Sequence, residues 1–388
     1  MPETAKNLKI VYVTPALYMA GGVERVLTLK ANYFAEHYGY DITIILTEGK
    51  DKPLFYPLSD KIKVINLNIG FEELWTCSFL KKVLVYLKKQ CQFKKSLTNE
   101  LMRLHPDITI SLLRREINFI NAIKDGSRKI GELHVNRANY RNFEANDSNF
   151  IKNLFAKFWM RNLVSKLKQL DRFVVLTEED KSAWPELHNI CVIPDPLSFV
   201  PKSISPLTEK RVIAVGRYVY QKGFDLLLQA WAEIEKQYPD WHLAIFGDGN
   251  RAPYEQQVKD LGIDSSRCHL NEPTADIQQE YVNSSIFTFS SRFEGFGMVL
   301  IEAMACGLPV VSFACPCGPK DIIKDGEDGL LVGNGNIDAL AVSVSQLISD
   351  ETLRISMSQA GQRNVQRFYM EHIAKRWKDI FESNKILL

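Results

Sequence analysis

The chain has 388 residues, of which 46% are hydrophobic and 24% charged, and its formal net charge at pH 7 is only +2. This composition is typical of a globular protein and excludes a largely disordered or low-complexity chain. The length is too great for a single hydrophobic core and predicts two domains of ~150–200 residues each. The charge is uneven. Residues 1–200 carry 29 Lys and Arg against 22 Asp and Glu, whereas residues 201–388 carry 19 against 24. The first half is therefore expected to face an acidic partner.

The cysteines and the apolar runs bear on where the protein works. The seven cysteines have spacings that fit neither a disulfide framework nor a Cys-x2-Cys zinc pair, which indicates reduced thiols and a cytoplasmic location. Residues 1–16 lack the long apolar core of a signal peptide, and no run of ~20 uncharged apolar residues predicts a membrane-spanning helix.

Strands and helices are predicted to alternate through the first half of the chain. An apolar strand at Leu8–Thr14 leads through Gly21-Gly22 into a helix over about Val23–Tyr38. Further strands are predicted at Asp41–Thr47, Lys63–Leu67, Asp107–Leu113, Gly131–Asn136 and Arg172–Leu176. Strands without polar alternation are typical of a parallel sheet covered on both faces, so this half is predicted to be a doubly wound α/β domain.

The second half repeats the alternation after a proline-rich segment. Prolines punctuate Ile193–Leu207, which we interpret as an interdomain linker. Strands are then predicted at Arg211–Val215, His242–Phe246, Ile286–Phe289, Pro309–Phe313 and Leu330–Val332. Helices are predicted over Asp225–Gln237, Tyr254–Leu261, Ile337–Ser349, Glu351–Phe368 and Glu371–Leu388. Two α/β domains joined in this way predict a ligand cleft at the carboxyl ends of their strands.

The most informative motif is Glu294-Gly295-Phe296-Gly297-Met298, which joins a predicted strand to an apolar helix containing Glu302. Glycines at a helix N-terminus leave backbone N–H groups that hold an anion. Glu302 follows Glu294 by eight residues, about two turns at ~3.6 residues per turn. Two carboxylates disfavour a bare phosphate there and favour a ligand that also offers hydroxyl groups, as a sugar nucleotide does. The alternative without a ligand is a buried βαβ unit in which Glu294 and Glu302 have only structural roles.

Glu294-x7-Glu302, within EGFGMVLIEAMACGLPVV, resembles the signature of retaining glycosyltransferases of the GT-B fold, family 4. The resemblance implies two Rossmann-like doubly wound domains facing across a cleft. It implies that Glu294 faces the hydroxyls of the donor sugar as a catalytic group and that Glu302 faces the ribose. Gly295, Phe296, Gly297 and Met298 would then line the donor site.

Two cations follow the first strand of the second half, in Val215-Gly216-Arg217-Tyr218-Val219-Tyr220-Gln221-Lys222-Gly223. A diphosphate needs fixed cations, which Arg supplies as a planar fork and Lys as a point charge. The resemblance makes Arg217 and Lys222 ligands of the donor diphosphate, where they would also neutralise the leaving nucleoside diphosphate. Without the Glu294 motif, such a loop would be ordinary solvated surface.

Three further places are candidate contacts. The resemblance brings the Gly21-Gly22 loop to the donor, whereas the residues alone fit an ordinary strand-to-helix turn. It makes His134, in Glu132-Leu133-His134-Val135-Asn136, a catalytic contact near the reacting sugar, although a structural histidine fits as well. Gly247-Asp248 would touch the nucleoside or its phosphate, or form a plain turn.

No metal and no cofactor are expected. The sequence has no Asp-x-Asp motif, and the resemblance implies metal-independent transfer. No residue is clearly placed as a nucleophile for a covalent intermediate. The resemblance implies that the acceptor attacks the same face of the sugar and that the leaving phosphate assists deprotonation of the acceptor.

Two basic segments predict the acceptor side. Residues 79–104 contain seven basic residues and one acid, and residues 151–170 contain five basic residues and no acid. On a helical wheel, Leu80, Val83, Leu84, Leu87, Cys91 and Leu101 share one face of the first segment. Basic amphipathic helices of this kind lie on anionic membranes, hold an anionic acceptor or simply expose a solvated face. No stacking platform or recognition motif indicates a nucleic acid partner.

The sequence therefore predicts a hexosyltransferase with an acceptor-side domain at 1–195, a nucleotide-sugar domain at 196–370 and a helix at 371–388 that packs back on the first domain. It would transfer a hexose or N-acetylhexosamine from a nucleoside-diphosphate sugar, with UDP the expected nucleotide. The acceptor would be a glycan or a polyprenyl-diphosphate-linked glycan in polysaccharide biosynthesis. We expect the enzyme in the cytoplasm, on the inner face of the membrane if the basic helices bind lipid. A catalytically silent sugar-nucleotide-binding subunit and a sugar-nucleotide epimerase of the same fold remain as alternatives.

Overall fold

A computed structural model describes residues 7–76, 78–142 and 150–383. The chain forms two compact units. Unit 1 contains the chain up to Leu176, the segment Asp180–Ile193 and the chain from Met370 onward, and unit 2 contains Thr177–Glu179 and Pro194–Tyr369. The boundaries predicted after residues 195 and 370 thus fall after Ile193 and Tyr369.

Each unit is built on one parallel sheet. The strands are β1 Lys9–Thr14, β2 Asp41–Leu46, β3 Lys63–Asn66, β4 Ile108–Ser111, β5 Arg128–Glu132, β6 Arg172–Val175, β7 Ile190–Val192, β8 Arg211–Val215, β9 His242–Phe246, β10 Cys268–Asn271, β11 Ile286–Phe289, β12 Val310–Phe313 and β13 Gly329–Val332. Their order is β3-β2-β1-β4-β5-β6-β7 in unit 1 and β10-β9-β8-β11-β12-β13 in unit 2. In the register, Val13 of β1 lies beside Ile45 and Ser111, and Val212 of β8 lies beside Leu243 and Ile286.

Helices connect the strands. They are α1 Gly22–His37, α2 Phe79–Leu104, α3 Phe150–Leu167, α4 Glu178–Ser182, α5 Phe224–Gln237, α6 Ala252–Asp260, α7 Ile277–Val282, α8 Met298–Ala305, α9 Pro319–Ile322, α10 Ile337–Ser349, α11 Glu351–Asn364 and α12 Met370–Glu382. The central strands β4, β11 and β12 are buried along their whole length, which explains why they contain apolar residues with a few serines and threonines and no charged residue.

The last helix, α12, belongs to unit 1. Ile373, Ala374, Trp377 and Phe381 are buried in the core that β1, β2 and α1 share, and they follow the spacing of one helix face. Arg128 of β5 donates to the carbonyl oxygens of Ile380 and Phe381, at 3.1 and 2.9 Å, and so holds the end of the helix.

The predicted strand at Gly131–Asn136 is misplaced. The observed strand β5 spans Arg128–Glu132, because Arg128, Lys129 and Ile130 pair with β4. His134 and Asn136 therefore lie in the loop beyond the strand. The sequence analysis also missed β7, β10 and α7, and the helix predicted over Glu351–Phe368 ends at Asn364 before a short 3-10 turn.

The segment interpreted as a linker is largely packed onto unit 2. Leu197 and Leu207 are buried. The backbone N–H of Leu197 donates to the carbonyl of Phe368 at 2.7 Å, and that of Ser205 donates to Cys306 at 2.8 Å. The prolines made the segment irregular, but its leucines still bury apolar surface and fix it in place.

Candidate functional site

The order of strands in unit 2 creates a switch point between β8 and β11. These strands are neighbours in the sheet, yet the chain visits β9 and β10 on one side before it returns to β11. At such a point the connections leave in opposite directions, and ligands bind at the carboxyl ends of the strands. The loops at this place carry Arg217, Lys222 and Glu294.

Lys222 and Glu294 form an ion pair between the two loops. The Nζ atom of Lys222 lies 2.7 Å from Oε1 of Glu294, with the side chains 14% and 8% exposed. The second carboxylate oxygen, Oε2, accepts a hydrogen bond of 3.2 Å from Nε2 of Gln221. The backbone N–H of Glu294 donates to the carbonyl of Pro316 at 3.0 Å. The structure thus brings together two residues that the sequence predicted for one site.

The loop after β8 is fixed against the loop after β11. Gly223 has φ +62°, and a Cβ there would lie only 2.1 Å from the carbonyl oxygen of Ser290, so only glycine permits this approach. The hydroxyl of Ser290 donates to the carbonyl of Lys222 at 2.9 Å. Arg292 forms a bidentate ion pair with Asp225, at 2.8 and 2.6 Å, of the kind whose geometry is most specific. These contacts therefore fix the positions of the two loops relative to each other.

Arg217 is the exposed cation of this edge. Within the described residues its side chain makes no hydrogen bond or ion pair, whereas the stem of Lys222 passes over Gly216, 3.0 Å from where a Cβ would stand. A solvated guanidinium beside an ion-paired ammonium is available to an incoming anion without the loss of a protein contact.

Glu302 is buried in α8, where its partners belong to unit 2. Oε1 accepts a hydrogen bond from the hydroxyl of Ser198, and Oε2 accepts one of 3.3 Å from Tyr281. The carboxylate in an apolar helix needed a partner, and these two hydroxyls provide it. Contact with a ribose remains a prediction for this residue.

The glycines around Glu294 shape the start of α8. Gly297 has φ +100° and precedes Met298, the first residue of the helix. Phe296 is buried against Phe368, with ring centroids 5.5 Å apart, while its carbonyl lies 1.7 Å from where a Cβ on Gly318 would stand. Gly297 therefore lets the chain turn into a helix whose first N–H groups lack intrahelical partners.

Cys315 lies near the ion pair as a buried free thiol. Burial and the Glu294 carboxylate raise the pKa of this thiol, against a smaller opposite effect of Lys222. The thiol is therefore protonated at neutral pH and does not act as a nucleophile there.

Gly247 and Asp248 form a tight turn next to Gly216. A Cβ on Gly247 would lie 1.7 Å from the carbonyl oxygen of Gly216. The Asp248 carboxylate accepts a hydrogen bond of 2.8 Å from the N–H of Gly249, and its carbonyl accepts one of 2.7 Å from Tyr218. The turn supports the loop that carries Arg217, and a ligand contact of its own stays a prediction.

Unit 1 has a comparable switch point between β1 and β4. Gly21 precedes α1, and Gly22 is its first residue. A Cβ on Gly21 would lie 1.9 Å from Oε2 of Glu24, so a carboxylate already lies beside this helix N-terminus, where the helix dipole favours it. An anionic ligand at Gly21-Gly22 would have to displace Glu24.

His134 follows β5 next to a buried ion pair. Its Nε2 lies 3.2 Å from Oε1 of Glu132, which also pairs with Lys30. Burial raises the pKa of Glu132, but the charges of Lys30 and His134 outweigh this effect and lower that pKa to about 2. Glu132 is therefore ionised at neutral pH, and its Oε1 lies within ion-pair distance of His134.

The face that the helical wheel predicted for α2 is only partly buried, since Leu101 is buried but other members are exposed. Val83, Leu84 and Leu87 are 45%, 70% and 55% exposed, and Cys91 is exposed as well. The buried face consists of Phe93, Leu97 and Leu101, together with Lys89. The side chain of Leu80 lies outside the described residues.

Lys89, a basic residue of α2, is buried within the same face. Its Nζ donates to the carbonyl of Ile69 at 2.6 Å and pairs with Glu73 at 3.0 Å. These contacts compensate the burial of its charge, so the basic residue pattern misled the assignment of faces. The exposed edge of α2 therefore carries leucines between Lys81, Lys82 and Lys88.

In α3, which was also predicted as a basic amphipathic helix, Phe158 is exposed between Lys157 and Arg161. The side chains of residues 150–155 lie outside the described part of the chain.

Comparison with known proteins decides the family. Residues 198–364 match the family of glycosyl transferases group 1. An uncharacterized glycosyltransferase of Haemophilus influenzae is 31% identical over 369 residues, which cover 93% of this chain and 96% of the relative. The chain belongs to the glycosyltransferases. It is therefore a transferase enzyme.

A second relative matches this glycosyltransferase over nearly the whole of both chains. A Campylobacter jejuni protein is 27% identical over 384 residues, or 95% of this chain and 97% of the relative. That protein is named as an α-1,4-N-acetyl-D-galactosaminyltransferase for GalNAc-α-(1→4)-GalNAc-α-(1→3)-diNAcBac-PP-undecaprenol.

The fold of the glycosyltransferase is GT-B, with two Rossmann-like parallel-sheet domains. The crystal structure of a mutant of S. aureus TarM in complex with fondaparinux, α-GlcNAc-glycerol and UDP superimposes with a TM-score of 0.75 at 17% identity. The match covers 97% of this chain and 100% of TarM. The predicted fold class is confirmed.

Sequence reasoning missed several residues that shape the site. Gln221 lies in the predicted Val215–Gly223 motif, but no role was predicted for it. Its position next to Lys222 was the feature of the sequence that could have indicated one. Arg292 and Asp225 lie 67 positions apart, and no periodic pattern links them. Ser198 was assigned to the linker, so its bond to Glu302 could not be anticipated.

We expect Gly247→Ala to lower the free energy of unfolding of unit 2 by ~2 kcal/mol or more, because the new Cβ would overlap the carbonyl of Gly216. Denaturant unfolding measures this change. Gly333→Ala is the matched control, since the nearest atom to its Cβ would be 3.7 Å away. Equal stability of both variants would show that the close approach of the two loops is not a constraint.

Proposed function

We propose that the enzyme is a retaining glycosyltransferase of family 4. It transfers a hexose or N-acetylhexosamine from a nucleoside-diphosphate sugar to a glycan or polyprenyl-diphosphate-linked glycan in polysaccharide biosynthesis. The expected nucleotide is UDP. The observation that carries this proposal is the Lys222–Glu294 pair, with Nζ and Oε1 2.7 Å apart, at the switch point beside the exposed Arg217.

A nucleotide sugar matches this pair chemically. Its diphosphate requires cations, and its sugar offers hydroxyl groups to a carboxylate. When a cation and a carboxylate are fixed at hydrogen-bond distance from each other, the cation can bind the diphosphate and the carboxylate can bind the adjoining sugar of one ligand. A bare phosphate would meet the repulsion of Glu294, and a neutral sugar would make no use of Arg217 and Lys222.

In this proposal Arg217 and Lys222 bind the diphosphate and stabilise the negative charge that grows on it as the glycosidic bond breaks. The first N–H groups of α8, next to Gly297 and Met298, add a positive partial charge. Glu294 orients the sugar through its hydroxyls. Glu302, fixed by Ser198 and Tyr281, takes the ribose.

The reaction proposed for these residues needs no metal and no cofactor, because the two cations and the helix N-terminus supply the positive charge. The acceptor attacks the same face of the sugar, and the departing phosphate assists its deprotonation. His134, whose Nε2 lies 3.2 Å from Oε1 of Glu132, is proposed to lie near the reacting sugar.

The acceptor side of the proposal rests on the exposed edge of α2 and on the relatives. Leucines between exposed lysines suit the surface of an anionic membrane, where the leucines enter the lipid and the lysines meet the headgroups. Among the described residues no helix is long and apolar enough to cross a membrane. We propose a cytoplasmic enzyme that binds the membrane surface through α2 and α3, close to a lipid-linked acceptor.

We expect Glu294→Ala to reduce nucleoside diphosphate release from the preferred sugar nucleotide by ~100-fold or more, because the orientation of the sugar in the transition state is lost. Release is measured over a panel of sugar nucleotides, with and without polyprenyl-diphosphate glycans. Glu233→Ala, which removes an exposed glutamate paired with Lys236, is the control.

Arg217→Ala and Lys222→Ala should each weaken UDP binding by about tenfold in calorimetry, because each removes a cation proposed to bind the diphosphate. Lys210→Ala is the exposed control.

Near-normal nucleoside diphosphate release by Glu294→Ala would refute the proposed role of Glu294. Binding of sugar nucleotides without release under every condition would instead support a silent binding subunit.

Turnover in excess chelator tests the absence of a catalytic metal. We expect the rate of nucleoside diphosphate release to be unchanged after treatment with EDTA, because the charge of the leaving group is balanced by protein cations. Loss of activity that added Mg²⁺ or Mn²⁺ restores would contradict this mechanism.

Sedimentation with anionic phospholipid vesicles tests the membrane surface. We expect binding at low salt, release as the ionic strength approaches ~1 M, where the Debye length is ~3 Å, and weaker binding by the double variant Leu84→Ser, Leu87→Ser. Val342→Ser is the control, since Val342 is a 68% exposed apolar residue of unit 2. The membrane proposal fails if the unmodified enzyme stays in solution at low salt.

A further inference from the structure

Two consecutive side chains hold the carboxylate of Glu294. Lys222 contacts Oε1 at 2.7 Å, and Nε2 of Gln221 donates to Oε2 at 3.2 Å. Both residues come from the 3-10 turn Tyr220–Lys222 that follows β8. Glu294 is thus oriented by a cation on one oxygen and by a neutral amide on the other.

The two contacts respond differently to a bound diphosphate. A diphosphate carries more negative charge than a single carboxylate, so it competes with Glu294 for the ammonium group of Lys222. The amide of Gln221 has no net charge and is not drawn away in this manner. Once the donor is bound, the bond from Gln221 is a contact that can stay on Oε2.

Gln221 is itself fixed by the loop after β11. Its Nε2 also donates to the carbonyl of Phe293 at 3.0 Å, so both amide hydrogens have acceptors. The backbone carbonyl of Gln221 accepts a hydrogen bond of 2.8 Å from the N–H of Arg292. The Arg292 guanidinium is in turn held by Asp225 and lies 4.0 Å from the centre of the Tyr220 ring.

We propose that Gln221 is a positioning residue for transfer, which rests on the proposed function. It holds Oε2 of Glu294 towards the donor sugar while Lys222 binds the diphosphate. Glutamine suits this place because its amide donates twice without adding charge. A glutamate would repel Glu294, and an apolar residue would leave Oε2 and the Phe293 carbonyl without this donor.

Gln221→Met tests the proposal, because methionine keeps the length of the side chain and removes both donors. We expect kcat/KM for nucleoside diphosphate release from the preferred sugar nucleotide to fall about tenfold or more, mostly through kcat, since a hydrogen bond to a charged group is lost. UDP affinity in calorimetry should change less than about twofold, because Arg217 and Lys222 remain. Gln221→Leu repeats the loss with a different shape.

The matched control is Gln279→Met, which removes an exposed amide that donates to Asn283 at 2.8 Å. Unchanged kcat/KM in both Gln221 variants would overturn the proposal. Equal losses of UDP affinity and turnover would also overturn it, because Gln221 would then support the nucleotide loop as a whole. If the unmodified enzyme neither binds UDP nor releases nucleoside diphosphate, the proposed function itself fails.

Discussion

The close approach of two loops at the carboxyl edge of the second sheet is the constraint on which the site depends. Gly223 lets the loop after β8 lie against Ser290, where any side chain would collide. That approach allows Lys222 and Gln221 to reach the carboxylate of Glu294. The Arg292–Asp225 pair also joins the loop after β11 to the first turn of α5. A cation, a carboxylate and an amide are thus held together by contacts within the protein, and fixed groups of this kind are what transition-state stabilisation requires.

The candidate residue of unit 1, His134, lies beside a buried ion pair. A buried lysine from α1 and a buried glutamate from β5 neutralise each other, and His134 lies beside them. Lys30 also lies 4.5 Å from the centre of the Trp377 ring, so α12 contributes to the same cluster. A buried pair of this kind adds little net stability after desolvation, but it restricts where the glutamate beside His134 can lie.

Much of the fold followed from local sequence. Unbroken apolar runs bounded by glycine or proline predicted most strands, and the Glu294 and Arg217 motifs predicted residues that the structure brings to one sheet edge. Contacts between distant segments could not be predicted. The buried face of α2 depends on Lys89 reaching the carbonyl of Ile69, which no helical wheel contains. The end of β5 depends on pairing with β4, and the roles of Ser198 and Gln221 depend on partners 104 and 73 positions away.

A structure of the enzyme crystallised with UDP tests the central claim most directly, because it locates the diphosphate without relying on turnover. We expect phosphate oxygens within hydrogen-bond distance of Lys222 Nζ and the Arg217 guanidinium, at the carboxyl ends of β8 and β11, with Gln221 still bonded to Glu294. A nucleotide bound at full occupancy anywhere else on the enzyme would contradict it.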